Sequence, residues 1–195
     1  EEDVPVLLSV GKDHIYIWEV NETMMHENDA AMVLYDLCKN EHLHRNEDIK
    51  EGKIELIADC DGLLKIDIAR LQQVNAYGQM MIASLHNNYP VKKDQHVAGM
   101  RIIPLIIEKE KMEGVQKLVG EQPLFRLMPY QHKKVGIVTT GNEVYYGRIQ
   151  DTFTPVVQAK IEAFGAEVVA HEYSSDDPEM EIACIEKVLA AGADM

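Results

Sequence analysis

The chain has 195 residues, with 19 Lys plus Arg against 33 Asp plus Glu and a formal net charge of −14 at pH 7. That length suits one large or two small domains, and 46% hydrophobic with 27% charged residues is a globular composition that excludes wholesale disorder. The acidic balance argues against nucleic acid and anionic membranes as partners, and no apolar run approaches the roughly 20 residues of a spanning helix. The longest candidate, over 102–107, contains Pro104. Three cysteines, Cys38, Cys60 and Cys184, are widely spaced without a CxxC pair. They read as reduced thiols of a cytoplasmic protein. No basic-then-apolar signal segment opens the chain. It starts at Glu1 without an initiator Met and stops at Met195 after Ala191-Gly192-Ala193-Asp194, a run that normally leads into another strand. It therefore reads as a piece of a longer protein.

In chain order, the apolar, β-branched run 15–20 is the first expected strand. Ala30, Val33, Leu34 and Leu37 place an apolar stripe on a helix over about 26–39, opened by His26-Glu27, where capping and the macrodipole account for both residues. His42 and His44 flank Leu43 in what reads as a polar loop; an HxH pair can hold zinc on a strand, but no third ligand is fixed by spacing. Asp59-Cys60-Asp61-Gly62 is a turn between strands over 54–58 and 63–66. Ile68, Leu71 and Val74 give a short helix that stops near Gly78. Strands are expected over 80–85 and 97–107, parted by an Asn-Asn-Tyr-Pro turn. A helix over 108–119 presents Met112, Val115 and Val119 on one side. This α+β region ends between Gly120 and Lys134, where Pro123, Pro129 and His132-Lys133-Lys134, read as a solvated basic linker, interrupt the pattern.

The C-terminal third has another texture. Val135 to Thr140 is a buried parallel strand by composition, broken by Gly141-Asn142-Glu143, with a polar loop running to Thr154. Thr154-Pro155 reads as an N-cap with proline at the first helical position. Val157, Ile161 and Phe164 mark the buried face, and Gly165 closes the helix. A strand over 166–173 follows. Asp177-Pro178 repeats the capped start, Ile182, Ile185, Val188 and Leu189 mark the next buried face, and Gly192 ends it. Strand, helix, strand, helix implies a parallel sheet with right-handed crossovers, whose ligands bind outside the carboxyl ends of the strands. Two loops lie at those ends, 139–154 and 174–177.

In the first loop, Gly141 frees the backbone to turn and expose amides, and Thr139 and Thr140 add hydroxyls, a cradle for an oxyanion such as phosphate. The helix start near Asp151 to Thr154 would add amides, and Arg148 is the one cation in the loop. An ordinary capped strand-to-helix loop has the same letters. In the second loop Asp177 reads as an N-cap, while Asp176 has no structural task. Glu143 and Asp176 facing one crevice would suit a divalent cation or general-base work on a phosphate ester. Nucleophile elbow, Walker and dinucleotide fingerprints are absent from the sequence.

Val135-Gly-Ile-Val-Thr-Thr-Gly-Asn-Glu-Val, then Gly147-Arg-Ile-Gln-Asp-Thr, Phe164-Gly-Ala-Glu-Val and Ser175-Asp-Asp-Pro together resemble the molybdopterin-binding domain of molybdopterin molybdenumtransferases (the molybdenum insertases) and molybdopterin adenylyltransferases. The resemblance implies a three-layer α/β/α parallel-sheet molybdopterin-binding domain over 130–195, incomplete at its C-terminal end, preceded by the α+β region of 1–129. It also implies a continuation into a strand and a Gly-Gly loop. The family's Thr-Gly-Asp-Glu motif is matched at Thr140, Gly141 and Glu143 but has Asn142 at its third place. Its Asp-Thr-Asn motif is matched at Asp151 and Thr152 with Phe153 at the third place, and Asp176 matches the acid after the second strand. Val97-Ala-Gly-Met-Arg-Ile-Ile-Pro-Leu is similar to the region that precedes the domain in stand-alone relatives.

The resemblance implies molybdopterin or molybdenum cofactor as ligand. Thr139, Thr140, Gly141, Asn142, Arg148, Asp151, Thr152 and Ser175 would bind it, while Glu143 and Asp176 would be catalytic and hold Mg²⁺ or molybdate. The expected function is molybdopterin binding in cofactor biosynthesis, up to molybdate insertion into adenylated molybdopterin, with a molybdoenzyme recipient and a homodimer. A carrier or sensor without catalysis, which Asn142 favours, and a nucleotide-handling relative of the same fold are the alternatives.

Overall fold

The computed structural model describes residues 3–12, 14 and 22–195, so the strand expected over 15–20 lies outside the described residues. The chain divides into two compact units: one of the residues up to Asp59 with Leu64–Tyr89 and Lys93–Arg126, the other of Cys60–Leu63, Pro90–Lys92 and Leu127–Met195. The elements up to residue 129 are α1 (Val4–Ser9), β1 (Met24–His26), α2 (Glu27–Cys38), β2 (Leu43–Arg45), β3 (Lys53–Ala58), β4 (Gly62–Ile66), α3 (Ile68–Ala76), β5 (Met80–Ser84), β6 (Tyr89–Val91), β7 (His96–Ile102), β8 (Ile106–Glu108), α4 (Lys109–Val119) and β9 (Phe125–Pro129). The chain passes between the units within β4, β6 and β9.

In the first unit an antiparallel sheet runs in the order β2-β3-β7-β5, and β1 pairs antiparallel with β8. Period-2 burial makes β3 half-buried: Ile54, Leu56 and Ala58 are inside while Lys53 and Glu55 face out. The α2 stripe is buried at Ala30, Leu34 and Leu37, and α4 buries Met112, Val115 and Val119 as its spacing predicts. His26 caps α2 by accepting from Asn28 N–H at 3.2 Å through Nδ1. The strand expected over 97–107 is instead two. Pro104 has no N–H for a ladder, so β7 ends at Ile102 and the chain restarts as β8 against a different partner. His44 lies in a short strand and not in a loop. Its Nδ1 is 2.5 Å from Asp59, and His42 Nε2 is 3.2 Å from Glu41, so each ring has its own carboxylate.

In the second unit β10 (Lys134–Thr140), α5 (Asn142–Tyr145), α6 (Thr154–Ala163), β11 (Glu167–Ser174) and α7 (Pro178–Ala190) follow in order. β10 and β11 are parallel, with a register irregularity at Val135/Gly136. Strand alternation puts α6 and α7 on opposite faces. The Thr139 hydroxyl is 2.8 Å from that of Thr154 at the start of α6, whereas a Cβ on Gly136 would lie 2.6 Å from Val188 Cβ on α7. The result is a three-layer α/β/α arrangement around a parallel pair. On the edge of β10 away from β11, Lys134 C=O accepts from Asp194 N–H at 2.7 Å and Gly136 N–H donates to Met195 C=O at 2.9 Å, the beginning of a further ladder.

Three expectations fail here, the first being the buried face of α6, where Thr154 alone is buried and Phe164 is half exposed. On α7 only Cys184 and Val188 are buried, while Ile182, Ile185 and Leu189 are about half exposed. On α6 the N-cap is not Thr154, which is already helical and buried; Asp151 Oδ1 accepts from the N–H groups of Phe153 at 2.8 Å and Thr154 at 3.0 Å. Asp177 caps α7 as expected, accepting from Met180 N–H at 3.0 Å. His132 is exposed, as a solvated segment requires, and its Nδ1 lies 2.8 Å from Gly165 C=O. Among the described residues the three cysteines form no disulfide, and no helix is long and apolar enough to cross a membrane.

Candidate functional site

The carboxyl end of β10 opens into a groove of about 520 Å³ in the second unit. Five of the sequence-predicted residues line it: Thr139, Thr140, Glu143, Asp151 and Thr152. They converge because the strand ends at Thr140, Gly141 turns the chain, and the loop returns past Asp151 into α6. Gly141 is buried at φ +137°, a conformation that disfavours a side chain, and a Cβ there would come within 3.3 Å of Glu143 Oε1. Its N–H donates to Ser174 C=O at 3.2 Å, which ties the two rim loops together. Glu143 opens the single turn α5, and its C=O accepts from Arg148 and Ile149 N–H at 2.8 and 3.2 Å, folding the loop back on itself.

The other predicted residues stand around that groove without lining it. Asp176 Oδ2 accepts from Asn142 N–H at 3.2 Å. Arg148 is exposed, with its guanidinium 5.2 Å from the centre of the Tyr146 ring. Ser175 is buried, and both its N–H and its hydroxyl donate to Met180 Sδ at 3.4 Å.

A hydrogen-bonded network that sequence reasoning missed backs the groove. His171 Nε2 lies 2.8 Å from Thr139 Oγ1 and 3.4 Å from Thr154 Oγ1, so one ring nitrogen fixes two hydroxyl rotors. The Tyr173 ring packs on His171 at 4.4 Å between centroids, and its hydroxyl donates to Asp151 Oδ2 at 3.1 Å. Hydrogen bonds from the Thr154 side chain and amide, then from Phe153 N–H and Tyr173, hold the Asp151 carboxyl at about 2. Tyr173 is raised in turn, by partial desolvation first and by its bond to Asp151 second. The signal available in sequence was period 2: His171 and Tyr173 share one face of a strand. Only the parallel register brings that face to Thr139.

These contacts settle which donors remain. The amides expected to cradle an anion at the start of α6 are already occupied by the chain's own Asp151, and the Asn142 amide by Asp176. The hydroxyls of Thr140 and Thr152, both exposed, carry no hydrogen bond among the described residues. The rim therefore offers hydroxyl donors beside the Glu143 and Asp151 carboxylates. It can take an oxyanion at one point and hydrogen-bond donors of a polar ring at another. Among the described residues no group of three or more His, Cys, Asp or Glu is placed to hold a metal ion.

Residues 136–195 match the model of a family described as "Probable molybdopterin binding domain". This match to the molybdopterin-binding domain family covers 60 of the chain's 195 residues. Every residue lining the groove falls inside the matched segment. A solved structure, that of the molybdopterin biosynthesis moeA protein from Pyrococcus horikoshii OT3, is similar at 13% identity and a TM-score of 0.27. The match covers 88% of this chain and 65% of that one, so the chain spans less than two thirds of that protein's length. No curated protein matches the chain.

Proposed function

We propose that this protein binds molybdopterin, or its molybdenum form, in molybdenum cofactor biosynthesis, through the groove at the carboxyl end of β10. The observation that carries the reading is the convergence of Thr139, Thr140, Glu143, Asp151 and Thr152 on one groove inside the matched segment. The phosphate tail meets the Thr140 and Thr152 hydroxyls with Arg148 at the outer edge. The amino and ring N–H groups of the pterin pair with the carboxylates, which are acceptors only when ionised. Delivery to a molybdoenzyme, a homodimeric assembly and a cytoplasmic location belong to the same reading.

Of the two activities open to such a site, binding and transfer without catalysis is favoured by a specific contact. Asp176 is engaged by the Asn142 amide and only Glu143 of the expected acid pair lines the groove. An insertase would need both acids on Mg²⁺ or molybdate. Two carboxylates that do not share the groove make a poor set for that purpose. Isothermal titration with molybdopterin separates the outcomes. Saturable binding weakened about tenfold or more in Thr140→Val supports the reading, a loss of one charge-assisted hydrogen bond of roughly 1.5–3 kcal/mol. No heat, or an affinity unchanged from the parent in both Thr140→Val and Thr152→Val, defeats it. Turnover of adenylated molybdopterin with molybdate and magnesium, abolished in Glu143→Gln, would replace the carrier by an insertase.

A further inference from the structure

The first unit carries a second concavity, of about 570 Å³, made only from its own residues. Lys65, Arg70 and Arg126 all line it, in a chain where acids outnumber bases 33 to 19. Its one acid, Asp67, is spent internally: Oδ1 accepts from Arg70 N–H at 3.0 Å and Oδ2 from Arg70 Nε at 2.9 Å. Arg70 Nη1 donates to Val119 C=O and, at 2.9 Å, to Gln122 C=O, so this guanidinium is fixed with Nη2 uncommitted. Asn87 is oriented in the same way. Its Oδ1 accepts from Ile66 N–H at 2.9 Å and Asn88 N–H at 3.0 Å, which leaves its NH2 group as the unused end. Lys65 donates to Asn88 Oδ1 and keeps further protons, and Arg126 has neither a hydrogen bond nor an ion pair among the described residues.

What remains at this concavity is almost entirely donors: two guanidinium edges, an ammonium and a primary amide. The complement of a surface on which donors outnumber the one further acceptor, the Gln122 carboxamide oxygen, is an acceptor-only group, an oxyanion. Three cations less the Asp67 carboxylate leave two positive charges, which matches a phosphomonoester at neutral pH. The concavity is far larger than a bare phosphate needs, and Ile68 and Pro123 supply an accessible apolar wall beside the cations. The geometry points to a binding site for a small organic phosphomonoester, its phosphate on Arg126, Arg70 and Lys65 and its organic body on Ile68 and Pro123. This site is independent of the groove on β10.

Nuclear magnetic resonance titration of the full chain with phenyl phosphate, inorganic phosphate and benzoate at 0.15 M salt tests it. Phenyl phosphate should shift the Asn87 side-chain amide and Arg126 Nε saturably, with inorganic phosphate and benzoate each at least tenfold weaker. Arg126→Gln should weaken phenyl phosphate tenfold or more while leaving the Thr140 amide and the urea midpoint unchanged. Lys65→Gln carries the same expectation should Arg126→Gln fold poorly. Shifts that grow linearly without saturation, or that persist in both variants, overturn the site. Equal affinity for benzoate overturns the choice of phosphate.

Discussion

Gly136→Ala is the sharpest test of how the second unit is packed. The added methyl would lie 2.6 Å from Val188 Cβ, 2.9 Å from Val188 Cγ2 and 3.0 Å from Ala193 Cβ. Carbon atoms rest at about 3.5–4.0 Å, so α7 must retreat by about 1 Å. The nearest atom is a Cβ and cannot swing aside. Such overpacking costs about 1–3 kcal/mol, and the entropic gain of Gly→Ala in the unfolded chain offsets about 0.4–1 kcal/mol. A net loss of about 1.3 kcal/mol corresponds to a fall of roughly 0.6 M in the urea midpoint. Val188→Ala alone also costs about 2 kcal/mol, through the cavity it leaves. In the double variant the new methyl occupies that cavity, so the two losses should fall short of their sum by about 1–2 kcal/mol. Urea unfolding followed by far-ultraviolet circular dichroism measures all four proteins. The Asn142 amide resonance should move as well, because α7 carries Asp176 away from it. Additivity within about 0.5 kcal/mol, or an unchanged midpoint in Gly136→Ala, would show that the strand and helix are not in the close contact described.

Asp177→Ala should cost about 1 kcal/mol by uncapping α7, and Asp177→Asn only a few tenths, read from thermal melts. Because its carboxyl is held at about 2, Asp151 contributes stability that is fully present above the unfolded value near 3.9 and lost as pH falls through 2; Asp151→Asn should be less stable at pH 6 and show a flatter decline between about pH 4 and 2. Equal slopes for the two proteins would remove the Asp151 network from the account. Phe125→Ala should cost about 3–5 kcal/mol, since its ring is fully buried. Burial raises the Cys38 thiol, so under native conditions a thiol reagent should label Cys60 well before Cys38.

Much of the secondary structure was written plainly. The run Val135 to Thr140 is a strand because it is β-branched and short, and Asp177-Pro178 starts a helix because cap and proline fit the first turn together. The face of α7 was not legible. Met180, Ile182, Cys184, Ile185, Val188 and Leu189 spread apolar character around most of the helix, so periodicity did not single out the narrow stripe of Cys184 and Val188 that Gly136 admits. The cap of α6 was misread because Thr154 has the right letter, while Asp151, three residues earlier, has the charge and the reach. Thr140, Glu143 and Thr152 could be placed at a strand end from sequence. His171 and Tyr173 could not, since their role depends on the register of β11 beside β10. Nor could sequence show that Asp151 and Asp176 would occupy the very amides an incoming anion would use.

One flank of β10 is covered by β11 along its length, the other, among the described residues, by Asp194 and Met195 at its beginning. Alternation turns the N–H and C=O of Val138 toward that second flank, and Val138 also lines the groove. An extended segment laid along that flank would therefore run beside the space a ligand would fill, and the two would compete for it or shape one another. Pairing along that flank and ligand affinity should therefore be coupled quantities.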